Sequence, residues 1–229
     1  MKTIDLFVAS ITDFNERYKS DINGRSYSWD HCYKSFHNAR SQHSPDYDYL
    51  SLQLAFYLAS WGMYRGSSFL LQKDHTVHTP VVKEILKPQY DTLSGLLCSD
   101  LKDEHTQQML TELSDFIRTY YSNIRKSVHP EAKSGISDTL LTKILLGTLA
   151  CVPAYDTYFS AGVKDKHVTT GTYSIKSLLR LVEFYEDNAE ALENLRQKLS
   201  VEGLPSPQMK LLDLGFWIIG YEKINDKQP

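Results

Sequence analysis

The chain has 229 residues, 41% hydrophobic and 12% aromatic, with a formal net charge of -3. That is enough apolar material for a sizeable core, and the near-neutral balance argues against a strongly electrostatic nucleic-acid binder while leaving room for a local basic face. Cys32, Cys98 and Cys151 stand far apart with no CxxC pair, which excludes a disulfide framework or zinc ribbon and fits a reducing, cytoplasmic setting.

Asp5, Thr12, Asp13 and Asn15 interrupt the apolar character of the first residues, so no secretory leader is expected. Amphipathic helices are predicted over Ile4 to Lys19 and Ser28 to Arg40. Ser44-Pro45 reads as a cap followed by proline at the first helical position, as do Thr79-Pro80 and Ser206-Pro207 further on. The apolar run Leu50 to Tyr64 is shorter than the roughly 20 residues of a membrane span and is predicted as a buried helix.

That run ends in a polar knot, Tyr64-Arg65-Gly66-Ser67-Ser68. Arg65 is expected to be buried, where a guanidinium must be paired or bind an anion. It either locks two helices through Asp156 or Asp213, the simpler reading, or holds a phosphate or carboxylate together with Ser67 and Ser68 at the start of the next turn.

Met109, Leu113, Phe116, Ile117, Tyr120 and Ile124 recur at helical spacing and predict a helix from Glu104 to Val128, closed by His129-Pro130. Arg118, Arg125, Lys126 and Lys133, with Tyr120 and Tyr121 between them, form either a nucleic-acid contact or a solvated basic face. Ser137-Asp138 opens a core helix through Leu140, Leu141, Ile144, Leu145 and Leu149. Lys143 interrupts it, so its amine must reach a cleft or snorkel out. Pro153 is expected to end this helix and start another, with Asp156 in its first turn.

A single long helix is predicted from Ser174 to Leu199, and loops at Pro130 to Gly135, Lys164 to Thr172 and Val201 to Pro205. In the last helix Asp213 sits among apolar neighbours in MKLLDLGFWII, so its carboxylate must face inward or line a cleft. Lys210 is its local partner and Arg65 its distant one. Trp217, one turn later, shares its face.

No Walker loop, dinucleotide fingerprint, GxSxG elbow or HExxH is present. His31, His37 and His43 recur every six residues, out of phase for a shared metal, and His75 and His78 lack a third ligand. No metal or cofactor is expected.

The lysine helix, tight turn, proline and aspartate of KILLGTLACVPAYD, Lys143 to Asp156, resemble the reduced core of the helix-hairpin-helix DNA glycosylase superfamily. The resemblance implies that Lys143 forms a Schiff base with the sugar and Asp156 stabilises developing positive charge, with Trp217 or Trp61 stacking a flipped base. RSYSWDH, Arg25 to His31, has the arginine-to-histidine spacing that resembles HEPN-type ribonucleases. WGMYRGSS and PAYD also look like stretches of uncharacterised bacterial all-helical proteins, which implies no activity.

The expectation is one all-α domain over residues 1–229, its core built from the Leu50 and Leu140 helices and closed by the Met209 helix. Its function reads as a divergent glycosylase-like protein that binds or processes nucleic acid. The alternative is a non-catalytic helical module with a buried Arg65, Asp156 and Asp213 network, docking on another protein or a second copy.

Overall fold

In the computed structural model, residues 3–21, 23–133, 135–199 and 205–225 are described. Their regular structure is helical, with no strand among them: α1 (Thr3–Ser20), α2 (Tyr27–Ala39), α3 (Tyr47–Ser60), α4 (Thr79–Ile85), α5 (Glu104–Val128), α6 (Asp138–Thr148), α7 (Thr157–Asp165), α8 (Ile175–Asp187), α9 (Ala189–Lys198) and α10 (Gln208–Asn225). Between residues 69 and 102 the chain adds short 3-10 turns, at Phe69–Gln72, His75–His78, Pro88–Leu93 and Cys98–Lys102, that no periodicity announced. No helix among the described residues is long and apolar enough to cross a membrane.

The core is centred on α6. Ser137 caps it by accepting from the Leu140 amide at 3.2 Å, and every residue from Leu140 to Thr148 is buried. α2, α3 and α5 pack around it. α5 spans the predicted residues, with the Asp103 carboxylate capping its start through the Thr106 amide at 2.8 Å. Its Leu113, Ile117 and Tyr121 point inward.

α7 and α10 approach almost backbone to backbone. A Cβ on Gly162 would stand 1.9 Å from the Phe216 carbonyl oxygen, and one on Gly220 1.8 Å from that of Tyr158, so only glycine permits this crossing. α10 also packs on α1, which brings Phe7 against Phe216 at 5.1 Å between ring centroids.

Several expectations are corrected. α3 is not buried on all sides: Leu52 and Phe56 are 50% and 58% exposed, while Leu50, Leu54, Tyr57 and Leu58 face the core. A helix apolar all round carries no stripe from which to read its buried face. Asp46, rather than Ser44, caps α3, accepting from the Tyr49 amide at 3.0 Å. Thr79 and Gln208 are the first residues of α4 and α10, so the Thr79-Pro80 and Ser206-Pro207 starts are each displaced by one residue.

The long Ser174 to Leu199 helix is two. It breaks at Asn188, whose side-chain amide donates to the Phe184 carbonyl at 2.8 Å and satisfies the end of α8, freeing α9 to turn onto α1. Pro153 starts no helix. Residues 149–155 form a wholly buried, non-helical connection, and α7 begins only after Asp156. Residues Val201 to Leu204 of the predicted loop lie outside the described residues.

Candidate functional site

Asp156 is the N-cap of α7. Its Oδ1 accepts from the amides of Tyr158 and Phe159 at 3.1 and 3.0 Å, and its Oδ2 accepts from Lys143 Nζ at 3.0 Å. Lys143 therefore does not snorkel: its side chain is 4% exposed, and that of Asp156 13%. The amine also stands 5.4 Å from the Trp61 ring centroid, where the ring's negative face favours a cation.

Asp213 lies beside this pair. Its Oδ1 accepts from the Ala154 amide at 2.9 Å and its Oδ2 from Lys210 Nζ at 3.2 Å. Burial pushes the Asp213 carboxyl up, against the pull of the Lys210 charge, and neighbouring Asp156 adds to the rise. Lys210 in turn lies 4.9 Å from the Trp29 ring centroid. Tyr57 completes the floor, its hydroxyl held well above the usual phenol range by burial and then by Asp213. Its ring lies where a Cβ on Gly147 would be, 2.4 Å away, so the bare helix face of α6 makes the space for it.

These groups surround a space of about 20 Å³, room for about one water. It adjoins a second hollow of about 80 Å³ whose walls include Trp29, Trp61, Phe14 and Leu199, the two sharing Phe14, Trp61, Lys210 and Leu214. Trp29 is fixed by its indole N–H, which donates to the Leu146 carbonyl at 3.0 Å. Trp61 stands edge-on to Trp217 at 5.9 Å, and Trp217 stacks on Tyr221 at 5.2 Å. Trp217 thus buttresses Trp61. The Trp61 indole N–H is itself buried and has no acceptor among the described residues, a deficit of about 1–3 kcal/mol.

Of the residues singled out in the sequence, Lys143, Asp156, Asp213, Trp217 and Trp61 meet in this cleft. Arg65 does not. It is exposed and makes no ion pair with either aspartate, whose cationic partners are Lys143 and Lys210. Gly62, at φ 79°, turns the chain outward just after Trp61, and the Arg65 guanidinium folds back to within 3.2 Å of where a Gly62 Cβ would be. Ser68 caps the 3-10 turn at Phe69–Gln72 and donates to the Met63 carbonyl at 2.6 Å, while Ser67 is exposed.

The predicted basic face is split, because α5 ends at Val128 and Lys133 lies in the loop beyond it, and it is partly neutralised. Arg118 pairs with Asp138, and Arg125 donates to the Gly135 carbonyl, while Lys126 and Lys133 are exposed. Arg25 lies over Trp61 at 5.1 Å and His31 is exposed. His78 is wholly buried between two tyrosine hydroxyls, and no metal-binding group of His, Cys, Asp and Glu exists among the described residues.

The connection from α6 to α7 is a core segment and presents no exposed glycine-rich hairpin to a nucleic-acid backbone. Periodicity and motif reading did not single out Trp29, Phe14 and Tyr57 as cleft residues. Trp29 lies inside RSYSWDH, between Arg25 and His31, and no spacing there marks it as a cleft residue. The chain matches no family model, no curated protein and no solved structure.

Proposed function

We propose that the chain binds nucleic acid and admits a nucleobase to the cleft between Trp29 and Trp61, with Lys143 and Asp156 acting at its floor on the glycosidic bond. The observation that carries this reading is the 3.0 Å approach of Lys143 to Asp156 beneath a tryptophan wall, the pair that the resemblance to DNA glycosylases selects. An aromatic wall suits the stacking of a flat heterocycle, and the unmatched Trp61 N–H suits an acceptor on its edge. In the reaction, Lys143 passes a proton to Asp156 and its amine bonds to the anomeric carbon as the base departs with the electrons of the glycosidic bond.

Trapping tests it directly. Borohydride reduction of mixtures with DNA containing abasic sites or oxidised bases is expected to give a covalent adduct with the native chain and none with Lys143→Ala. Absence of adduct and of cleavage across the lesion panel would sink the catalytic reading.

One observation favours the second reading, a non-catalytic interaction protein: each oxygen of Asp156 and Asp213 already has a donor within the chain. On that reading the two lysine and aspartate pairs are architecture, and Lys143→Ala lowers stability while changing no activity.

A further inference from the structure

The connection from α7 to α8 borders a separate hollow of about 450 Å³, whose walls include Lys164, His167, Val168, Lys176 and Arg180. Its volume falls within the roughly 300–1,000 Å³ of small-molecule sites. It shares no lining residue with either part of the tryptophan cleft, and no acidic side chain lines it.

The wall on the α7 side is built by hydrogen bonds. α7 closes with the Val168 amide donating to the Val163 carbonyl at 2.9 Å and the His167 amide to the Lys164 carbonyl at 3.1 Å. The left-handed position of that closure favours glycine, yet it holds His167 at φ 55°. Gly171, at φ 69°, brings the loop back over α7: its carbonyl accepts from the Ser160 hydroxyl and its amide donates to the Thr169 hydroxyl, each at 2.9 Å. A Cβ on Gly171 would stand 2.8 Å from Lys164 Cε, so the missing side chain leaves room for the lysine stem beneath the loop.

The opposite wall is α8, on which Lys176 and Arg180 stand one turn apart. Arg180 shares its charge with Glu183. Lys164 and Lys176 pair with no carboxylate among the described residues, and Asp165, next in sequence to Lys164, is taken by Lys166 and Lys223. A chain with 28 acidic against 25 basic residues thus gathers like charges around one hollow, where they repel until an anion enters.

We infer that this hollow binds a diphosphate group, free or carried by a small molecule. Ammonium groups on two facing walls fit the many oxygens of two linked phosphates, whereas a single carboxylate engages one wall. A nucleic-acid backbone spreads its charges along a strand and suits a basic stripe rather than a hollow.

Calorimetry at low salt with inorganic pyrophosphate, ADP, inorganic phosphate and a single-stranded oligonucleotide tests this on the native chain and on Lys164→Gln and Lys176→Gln. Pyrophosphate and ADP are expected to bind the native chain, with inorganic phosphate roughly tenfold weaker, and each variant is expected to weaken both by about fivefold. Tighter binding of ADP than of pyrophosphate identifies an organic carrier and the reverse identifies free diphosphate; both uphold the site. Lys73, exposed and outside the hollow, supplies the control: Lys73→Gln is expected to leave affinity unchanged, and an equal loss there would reduce the effect to general electrostatics and overturn the site. So would failure of pyrophosphate and ADP to bind, or affinities that survive both hollow substitutions. An oligonucleotide that binds more tightly than pyrophosphate and is weakened by both substitutions replaces the diphosphate site with a strand contact. Lys164 and Lys176 are exposed, so both variants are expected to keep the native thermal midpoint, which separates lost binding from lost folding.

Discussion

Lys143 and Asp156 stand on either side of a buried connection, and one carboxylate does two tasks there: it starts α7 with one oxygen and neutralises the amine of α6 with the other. The two helices are thus joined at a single side chain. Lys143→Ala is expected to cost about 3 kcal/mol by stranding a largely buried carboxylate. Asp156→Ala is expected to cost roughly 1 kcal/mol more, because the cap is lost as well. Asp156→Asn should recover the cap portion alone. Urea denaturation at neutral pH distinguishes them, and equal losses for Asp156→Ala and Asp156→Asn would show that the cap contributes nothing.

Asp213 carries the opposite sign from an ordinary paired carboxylate. Burial raises its folded pKa above the ordinary 3.8, so the folded chain holds the proton more tightly than the unfolded one, and stability falls as pH rises from that value through the raised one. Asp213→Asn removes this loss while keeping an acceptor for the Ala154 amide. It is expected to lie within about 1 kcal/mol of the native chain at pH 7, and to gain on it as pH rises through the window. Asp213→Ala strands the Ala154 amide and Lys210 and is expected to cost about 3 kcal/mol. Denaturation curves between pH 3 and 7 read both.

His78 links Tyr64 and Tyr121, its two ring nitrogens each meeting a phenol hydroxyl. Burial, with the charge of His75, pushes its imidazole down to about 3 from the ordinary 6.5. Below 6.5 the unfolded chain takes a proton that the folded chain refuses, so stability falls as pH drops from 6.5 towards 3. At pH 5 the loss from this group is about 2 kcal/mol. His78→Gln is expected to lose about 2 kcal/mol less than the native chain between pH 7 and pH 5. Parallel losses in the two proteins would mean that His78 titrates normally.

The crossing of α7 and α10 depends on two missing methyl groups. Gly162→Ala and Gly220→Ala each place a Cβ within 2 Å of a carbonyl oxygen of the facing helix, where backbone cannot yield as a side chain can. Each is expected to cost 3 kcal/mol or more, at or above the usual range for overpacking of about 1–3 kcal/mol. Thermal unfolding measures this, and a native midpoint in either variant would show that the helices separate without penalty.

α5 was legible from end to end because its apolar stripe contrasts with a charged face and His129-Pro130 marks its close. The face of α3 was not, since apolar residues surround it, and only packing against α2 and α6 leaves Leu52 and Phe56 outside. The break at Asn188 leaves no mark in the sequence, because the apolar period runs on through it. Its cause is a side-chain amide that competes for a helix carbonyl.

The sequence by itself determined the all-helical class and marked four charges, Arg65, Lys143, Asp156 and Asp213, that need a partner if buried; the last three are paired in the core and Arg65 is exposed. It also identified Lys210 for Asp213, a partner one turn away. Only the tertiary structure decided that Arg65 turns outward at Gly62 instead of joining that network, and that Trp29, Trp61 and Tyr57 close around it. Spacing along a helix determines neighbours three and four residues apart; contacts between distant segments depend on the path of the whole chain.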